Sequence, residues 1–369
     1  MQRTLMWTLA CALACSATAA WAQDTTGLAS LTGENSSPLQ ITGFGVVDAH
    51  GNGRTGDNGF DAGKLAVSMF RELTDRVWIF GQLTTSVARD QAPGADEAST
   101  DVEIDNLIVN LTPPAWSSVS FAVGKFDTPL GFERDDEPLN LQATTSFNFD
   151  RARPTKMVGA IGRWAASPKV DVAAWVANGW QSDLEPNHGK TVGARLGVRP
   201  SERVSAGIGG LWGPEGDHGD TRIRYLLSAD YELQPDEQWI VGGELNAGGD
   251  RATGGVEPDT WYGATATVFR RFSEHVGTTT RVEAFKDSDG ARTGTPQTLT
   301  SLTIAPVYFA GVGREGIFAT IEGTTFRIPR FQIRGEVRFD HSSAEDAFRT
   351  RAGAGPWTVN YVAQIVATF

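Results

Sequence analysis

The sequence predicts an all-β fold, a transmembrane antiparallel β-barrel of about 16 strands with short periplasmic turns and long extracellular loops. Three observations predict it. Many segments alternate apolar and polar residues with period two, the pattern of a strand wetted on one side. The connections between them alternate between short and long. No stretch of the mature chain approaches the roughly 20 uninterrupted apolar residues that a membrane helix needs, so any crossing falls to strands.

The strands are expected near 39–48, 61–70, 76–88, 101–112, 117–126, 155–165, 169–178, 190–199, 202–212, 222–233, 238–247, 260–271, 276–286, 298–309, 330–340 and 356–369. Three carry the alternation most clearly. From Thr221 to Leu233, Ile223, Tyr225, Leu227, Ala229, Tyr231 and Leu233 share one face, with Arg222, Arg224, Asp230 and Glu232 on the other. From Gln238 to Ala247, Trp239, Val241, Gly243 and Leu245 oppose Gln238, Gly242, Glu244 and Asn246. From Arg330 to Asp340, Phe331, Ile333, Val337 and Phe339 oppose Arg330, Arg334, Glu336, Arg338 and Asp340. A row so charged cannot face a dry core; it requires a watered lumen. In 101–111 the apolar parity switches between Ile104 and Leu107, which predicts a bulge near Asp105.

Short connections fall at 71–75, 113–116, 166–168, 200–201, 234–237, 272–275 and 327–329, several marked by proline: Pro113, Pro114, Pro168, Pro200, Pro235 and Pro329. Long ones, rich in Gly and Asp, fall at 49–60, 89–100, 127–154, 179–189, 213–221, 248–259, 287–297 and 341–355. A soluble sandwich has no reason to sort its loops this way. Aromatic residues flank both ends, as interfacial girdles would: Phe70, Trp116, Trp164, Trp239, Phe272, Phe331 and Phe369 at short turns, and Phe126, Trp180, Trp212, Trp261, Phe339 and Trp357 at long loops. Residues 310–326 exceed what the fourteenth strand needs, and are expected to extend it or to form an extra excursion.

The two ends of the chain agree. Residues 1–22 read as a secretory signal: Arg3, the apolar run from Leu5 to Ala19, then Ala20-Trp21-Ala22 as an A-x-A cleavage site. Residues 23–38 read as a short flexible lead and 39–369 as a single barrel domain. In the last ten residues Tyr361, Ala363, Ile365, Ala367 and Phe369 share one strand face, opposite Asn360, Gln364 and Thr368. A terminal aromatic on such a strand is similar to the signal by which bacterial outer-membrane barrels are recognised for assembly, and Tyr361, Ile365 and Phe369 would carry it.

Composition excludes several classes. Both cysteines, Cys11 and Cys15, lie in the signal, so the mature chain has neither disulfide nor thiol chemistry. With 32 basic and 44 acidic residues the formal net charge is −12 at pH 7, which argues against nucleic acid. The five histidines, His50, His188, His218, His275 and His341, show no paired metal-ligand spacing. Asp287-Ser288-Asp289-Gly290 lacks the later ligands of a calcium loop and reads as a tight turn. No cofactor or metal is expected.

Several phrases carry a family resemblance: Val123 to Glu133 (VGKFDTPLGFE), Val176 to Trp180 (VANGW), Arg281 to Gly290 (RVEAFKDSDG) and Arg334 to Asp340 (RGEVRFD), followed by the terminal Phe369. In this order and spacing they resemble the OmpL-like outer-membrane porins, distant relatives of the phosphate-selective porins. The resemblance runs from about residue 40 to the end. It implies a passive channel, with a homotrimer as one assembly. Residues 310–326 depart from the family pattern, and six lysines in the mature chain, among them Lys64, Lys125 and Lys156, are few for a lysine-lined filter.

The connection 127–154 follows the fifth strand, the position from which porins fold a loop into the lumen. It carries Asp127, Glu133, Asp135, Asp136, Glu137, Arg151 and Arg153. Strand parity points Arg195, Arg222, Arg224, Arg281, Arg334 and Arg338 into the lumen, with Glu283 and Glu336 between them. An acidic loop facing an arginine wall would set a transverse field and an ion preference; cross-strand pairing that only stiffens the wall is the alternative. The expected function is an outer-membrane porin, a water-filled channel for passive diffusion of small hydrophilic solutes and ions, and not an enzyme. A plugged structural or adhesive barrel competes with it. So does a rim hydrolase, for which His188 or His218 with Asp183 or Asp217 is the only material. Expected partners are outer-membrane lipid, lipopolysaccharide and the barrel-assembly machinery.

Overall fold

The computed structural model describes residues 37–369 apart from 90–97, 186, 217–221, 252–256, 311–316, 322–323 and 329. The secretory segment 1–22 and most of the lead lie outside the described residues. Sixteen antiparallel strands close into a barrel. They are β1 (Gln40–Asn52), β2 (Asn58–Asp61 and Lys64–Thr74, one strand interrupted at 62–63), β3 (Val77–Arg89) and β4 (Ala98–Leu111). There follow β5 (Val119–Asp127), β6 (Lys156–Ser167), β7 (Val170–Ala177) and β8 (Thr191–Ser201). Next come β9 (Val204–Pro214), β10 (Ile223–Leu233), β11 (Trp239–Arg251) and β12 (Asp259–Arg271). The last four are β13 (Val276–Asp287), β14 (Gln297–Ala310), β15 (Phe331–Ser342) and β16 (Trp357–Thr368). Each pairs with its neighbours in sequence.

Closure is made by β16 against β1, from Phe44↔Thr368 to Asn52↔Asn360. Phe369 extends the seam: its N–H donates to the Gly43 carbonyl and its own carbonyl accepts from the Gly43 N–H, both at 2.9 Å. Closure leaves no unpaired strand edge in lipid, where water could not satisfy it.

The faces are inverted relative to a soluble protein. Leu245 is 58% exposed while its strand neighbour Glu244 is 0% exposed, and the same contrast separates Val282 from Arg281 and Leu83 from Gln82. Apolar side chains stand outward for lipid; polar ones are held inside. The bulge lies where the parity switch placed it. Gln82 pairs with Asn106 and Leu83 with Ile104, so Asp105 is the extra residue, and both Asp105 and Asn106 are buried.

Three expectations need correction. Residues 49–60 are not one long loop, because β1 continues to pair with β2 out to Gly51↔Asn58 and leaves only 53–57 as the tip. Residues 327 and 328, expected in a short turn, belong to a strand instead, and 329 lies outside the described residues. Two runs rich in Ile, Phe and Thr, Ile317–Ile321 and Thr324–Ile328, pair as a separate two-stranded hairpin within a long connection at the short-turn end. The girdle is also smaller than expected. Trp116, Trp164, Trp212, Phe272, Phe339, Trp357 and Phe369 are exposed, but Phe70, Phe126, Trp180 and Trp261 are buried. Phe70 and Phe126 have the parity of the inward residues Ser68 and Ala122; they join Trp78, Phe80, Ile161 and Trp175 in an apolar seam on the inner side, which also takes Leu130 and Ala152 of the 127–154 connection.

Candidate functional site

The connection 127–154 turns inward because its neck is cinched and its polar backbone finds partners on the inner wall. Thr128 N–H donates to the Thr155 carbonyl at 2.9 Å and Thr128 Oγ1 to the Pro154 carbonyl at 2.7 Å. Gly131 turns the chain with φ +84°; a Cβ there would come within 2.2 Å of both Arg153 Nε and Glu244 Oε2. A short 3-10 turn at Glu137–Leu139 and a single helical turn at Asn148–Ala152 complete the loop.

Seating it on the wall requires room, and glycines provide it. A Cβ on Gly242 of β11 would meet the Phe132 ring at 2.2 Å, one on Gly263 of β12 would meet Asn148 Oδ1 at 1.8 Å, and one on Gly209 of β9 would meet Leu130 Cδ2 at 2.8 Å. Three neighbouring regions of the wall are thus hollowed where the loop lies.

Alongside neutral bonds such as Thr279 Oγ1 to the Leu141 carbonyl at 2.6 Å, most of the polar contacts are charge-assisted. Arg281, fully buried, donates to Glu133 Oε1 at 2.8 Å, to the Thr144 carbonyl at 2.6 Å and to the Thr145 carbonyl at 3.1 Å. Arg334 donates to the carbonyls of Asn140 (2.9 Å) and Gln142 (3.1 Å). Arg338 donates to the Thr145 carbonyl at 2.5 Å, pairs with Asp340 at 2.7 Å and lies over the Phe147 ring. Wall carboxylates answer loop N–H groups. Glu244 accepts from Phe132 (2.6 Å), Glu283 from Phe147 (2.5 Å), and Glu336 from Ala143 (2.8 Å) and Thr144 (3.1 Å) as well as from the Thr144 hydroxyl. Arg153 returns from the loop to Glu244 at 3.3 Å and to the Glu133 carbonyl at 2.8 Å. Sequence parity placed Arg281, Arg334, Arg338, Glu283 and Glu336 on the inner face. The structure adds that the loop lies directly on them, so these arginines and the loop are in contact rather than opposed across water.

Charge is separated along the loop itself. At its first half, Asp127, Asp135, Asp136 and Glu137 gather with Asp105 around two ammonium groups. Lys156 Nζ reaches Asp127 at 2.5 Å, Asp105 at 2.7 Å and Asp135 at 3.2 Å; Lys64 Nζ lies 3.5 Å from Glu137 and 3.7 Å from Asp135. Burial would raise Asp135, but Lys156 and Lys64 outweigh it and hold its carboxyl below the usual range. Asp136 accepts from Gln82 at 3.1 Å; burial, reinforced by Asp127 and only partly offset by Lys156, pushes it up to about 7. At the second half, Arg151 meets Arg292, and Arg292 and Arg224 share the Trp180 ring. Arg292 Nε donates to the Arg151 carbonyl at 2.7 Å, and Arg224 holds Asp250 through two bonds of 2.6 and 2.7 Å.

Of the other expected residues, Arg195 pairs with Asp230 at 2.8 Å on the wall of β8 and β10, and Arg222 lies one residue before β10. Asp183 is engaged by Lys125 at 3.1 Å, while His218 and Asp217 lie outside the described residues. Lys64, Lys156, Asp105, Glu244 and Arg292 are not among the pore residues expected from sequence. The parity of Glu244 and the bulge at Asp105 pointed inward, whereas nothing in the sequence around Arg292 marks it.

A closed barrel with its fifth-strand connection folded into the lumen defines a porin-type channel. The chain belongs to the beta-barrel porin-2, OmpL-like family, whose profile matches residues 79–369, and it is an outer-membrane channel. No match was found among curated proteins. Among solved structures it is similar to the anion-selective porin from Comamonas acidovorans, with a TM-score of 0.64 at 10% identity, covering 91% of this chain and 100% of that one. It is also similar to the outer membrane channel DcaP of Acinetobacter baumannii (TM-score 0.61, 9% identity, 92% and 99% covered). A third is the trimer form of OmpT from Vibrio cholerae (0.60, 10%, 91% and 100%). At these identities the likeness is one of fold.

Proposed function

We propose that this porin passes small hydrophilic solutes and ions through the space left between the 127–154 loop and the barrel wall, and that the loop sets both the bore and the field. The anchoring of the loop carries this reading. Arg281, Arg334 and Arg338 bind its carbonyls while Glu244, Glu283 and Glu336 bind its N–H groups, so a permeating solute meets a fixed constriction. The pore-lining set is Asp127, Asp135, Asp136, Glu137 and Arg151, with Glu133, Arg153, Arg195, Arg222 and Arg224 and the anchoring residues behind it. Carboxylates outnumber ammonium groups at the first half of the loop and guanidinium groups gather at the second. The transverse field therefore runs from one end of the loop to the other.

The reading contains no catalytic step. It takes residues 1–22 as a cleaved export signal, Tyr361, Ile365 and Phe369 as the assembly signal, lipid and lipopolysaccharide as surroundings, and a homotrimer as the assembly, as in the trimer form of OmpT. Liposome swelling tests it. Proteoliposomes are expected to swell in arabinose and progressively less in larger oligosaccharides. Folded protein that admits no sugar and no salt would favour the plugged barrel.

A further inference from the structure

At the long-loop end of the barrel, four segments bring an unbalanced group of donors together. Arg151 comes from the inward loop, Trp180 from the connection after β7, Arg224 from β10 and Arg292 from the connection after β13. The guanidinium carbons of Arg224 and Arg292 lie 5.0 and 4.9 Å from the Trp180 ring centroid, and that of Arg292 lies 5.3 Å from the Trp261 ring. The two indoles meet edge to face at 6.0 Å. Trp261 Nε1 donates to the Ala152 carbonyl at 3.0 Å, which fixes the platform to the loop.

Most carboxylate oxygens around this group are already engaged, Asp287 Oδ1 being a buried acceptor without a partner. Asp250 is held by Arg224. Asp287 Oδ2 accepts from the N–H groups of Arg292 and Thr293 and from the Thr293 hydroxyl. Glu215 accepts from Trp180 N–H at 2.7 Å and from the Thr191 hydroxyl. Asp150 accepts from Thr145 Oγ1 at 2.7 Å. Among the described residues, no carboxylate lies within salt-bridge distance of Arg151 or Arg292. Trp180 Nε1 and Arg151 Nε are buried donors without an acceptor, and Trp180 is only 7% exposed. Burial and the nearby Arg224 push the Arg292 guanidinium down to about 10, the response of a cation short of negative charge. Buried donors left unmatched are costly, and a planar guanidinium fork is matched by an oxyanion held through two parallel bonds.

We propose that Arg151 and Arg292, backed by Arg224 and Trp180, form a binding site at the long-loop mouth for an oxyanion, the carboxylate or phosphate group of an entering solute. It rests on the channel reading above and gives that channel a ligand class. The site lies where a solute arrives before the constriction, so occupancy concentrates anionic solutes there and, when tight, hinders the flow of other ions.

The test is single-channel recording in KCl with sodium acetate, orthophosphate or, as a neutral control, acetamide added on the long-loop side. The wild-type channel is expected to show concentration-dependent block by acetate or phosphate and none by acetamide. In Arg151→Gln with Arg292→Gln the half-blocking concentration should rise by about tenfold or more, the loss of at least one charge-assisted hydrogen bond. Arg349→Gln, on a separate small hairpin, should block like wild type. Block by acetate alone assigns a carboxylate solute, and by phosphate alone a phosphoryl solute. Heat-modifiable electrophoretic mobility confirms that each variant is folded. Open channels with no oxyanion block, or with equal block in the double variant, overturn the site and leave the channel standing. Absence of channels in folded wild-type protein overturns the channel reading itself.

Discussion

Arg281→Ala is the sharpest perturbation of the loop. Arg281 is fully buried, and its contacts to the inward loop and its neighbours include Glu133 at 2.8 Å, the Thr144 and Thr145 carbonyls at 2.6 and 3.1 Å, and Glu283 at 3.6 Å. Removing it leaves Glu133 as a buried carboxylate without its cation, a change that costs about 3–5 kcal/mol. Barrel strands do not depend on these contacts, so the penalty falls on loop docking, whose equilibrium should shift toward release by about 10²–10⁴-fold. Planar-bilayer recording is expected to show larger unitary conductance and noisier open channels, and hydrogen exchange in 127–154 should accelerate while the strands keep their protection. Glu133→Gln in the same chain removes the stranded charge and should recover part of the docking, a coupling that a double-mutant cycle measures. Unchanged conductance and exchange in folded Arg281→Ala protein would refute the idea that this anchor holds the constriction.

Other outcomes follow from the same geometry. Gly242→Ala and Gly263→Ala place a methyl 2.2 Å from Phe132 and 1.8 Å from Asn148, so each should lift the loop and raise conductance; Gly45→Ala, with nothing within 4 Å, should behave as wild type. Asp136 titrates near 7. Because its carboxyl is raised, the docked loop favours the neutral form: that stabilisation is present at low pH and is lost as pH rises through about 7, while each deprotonation adds negative charge to the pore. Cation preference, read as reversal potential in a KCl gradient, should therefore increase from about pH 6 to pH 8 and flatten in Asp136→Asn. Phe369→Ala removes the ring that packs against Gly43 at the seam, and should reduce the heat-modifiable folded fraction recovered from outer membranes; equal recovery would leave the terminal aromatic without a role in assembly.

The barrel was legible because a membrane imposes a strict two-residue period: Leu245 against Glu244 and Val282 against Arg281 reveal inside and outside without any tertiary knowledge. The bulge at Asp105 was legible for the same reason, since one extra residue flips the parity that follows it. Parity gives direction but not what fills the space ahead. It turned Arg281, Arg334 and Arg338 inward, yet their partners are carbonyls of residues 140 to 145, contacts between positions nearly two hundred residues apart in the case of Arg334 and Asn140. The aromatic assignment failed where position along the strand was read in place of parity, as at Phe70 and Phe126. The Arg151–Arg224–Arg292 group draws on three separate connections and strands, so no local pattern announces it.

The most direct test of a water-filled pore narrowed by its own loop is the current of purified wild-type protein in a planar bilayer under a KCl gradient. Discrete ohmic steps of uniform small size, enlarged in Arg281→Ala, are the predicted result. A folded, heat-modifiable barrel that gives no steps, in wild type and loop-released variant alike, would contradict it.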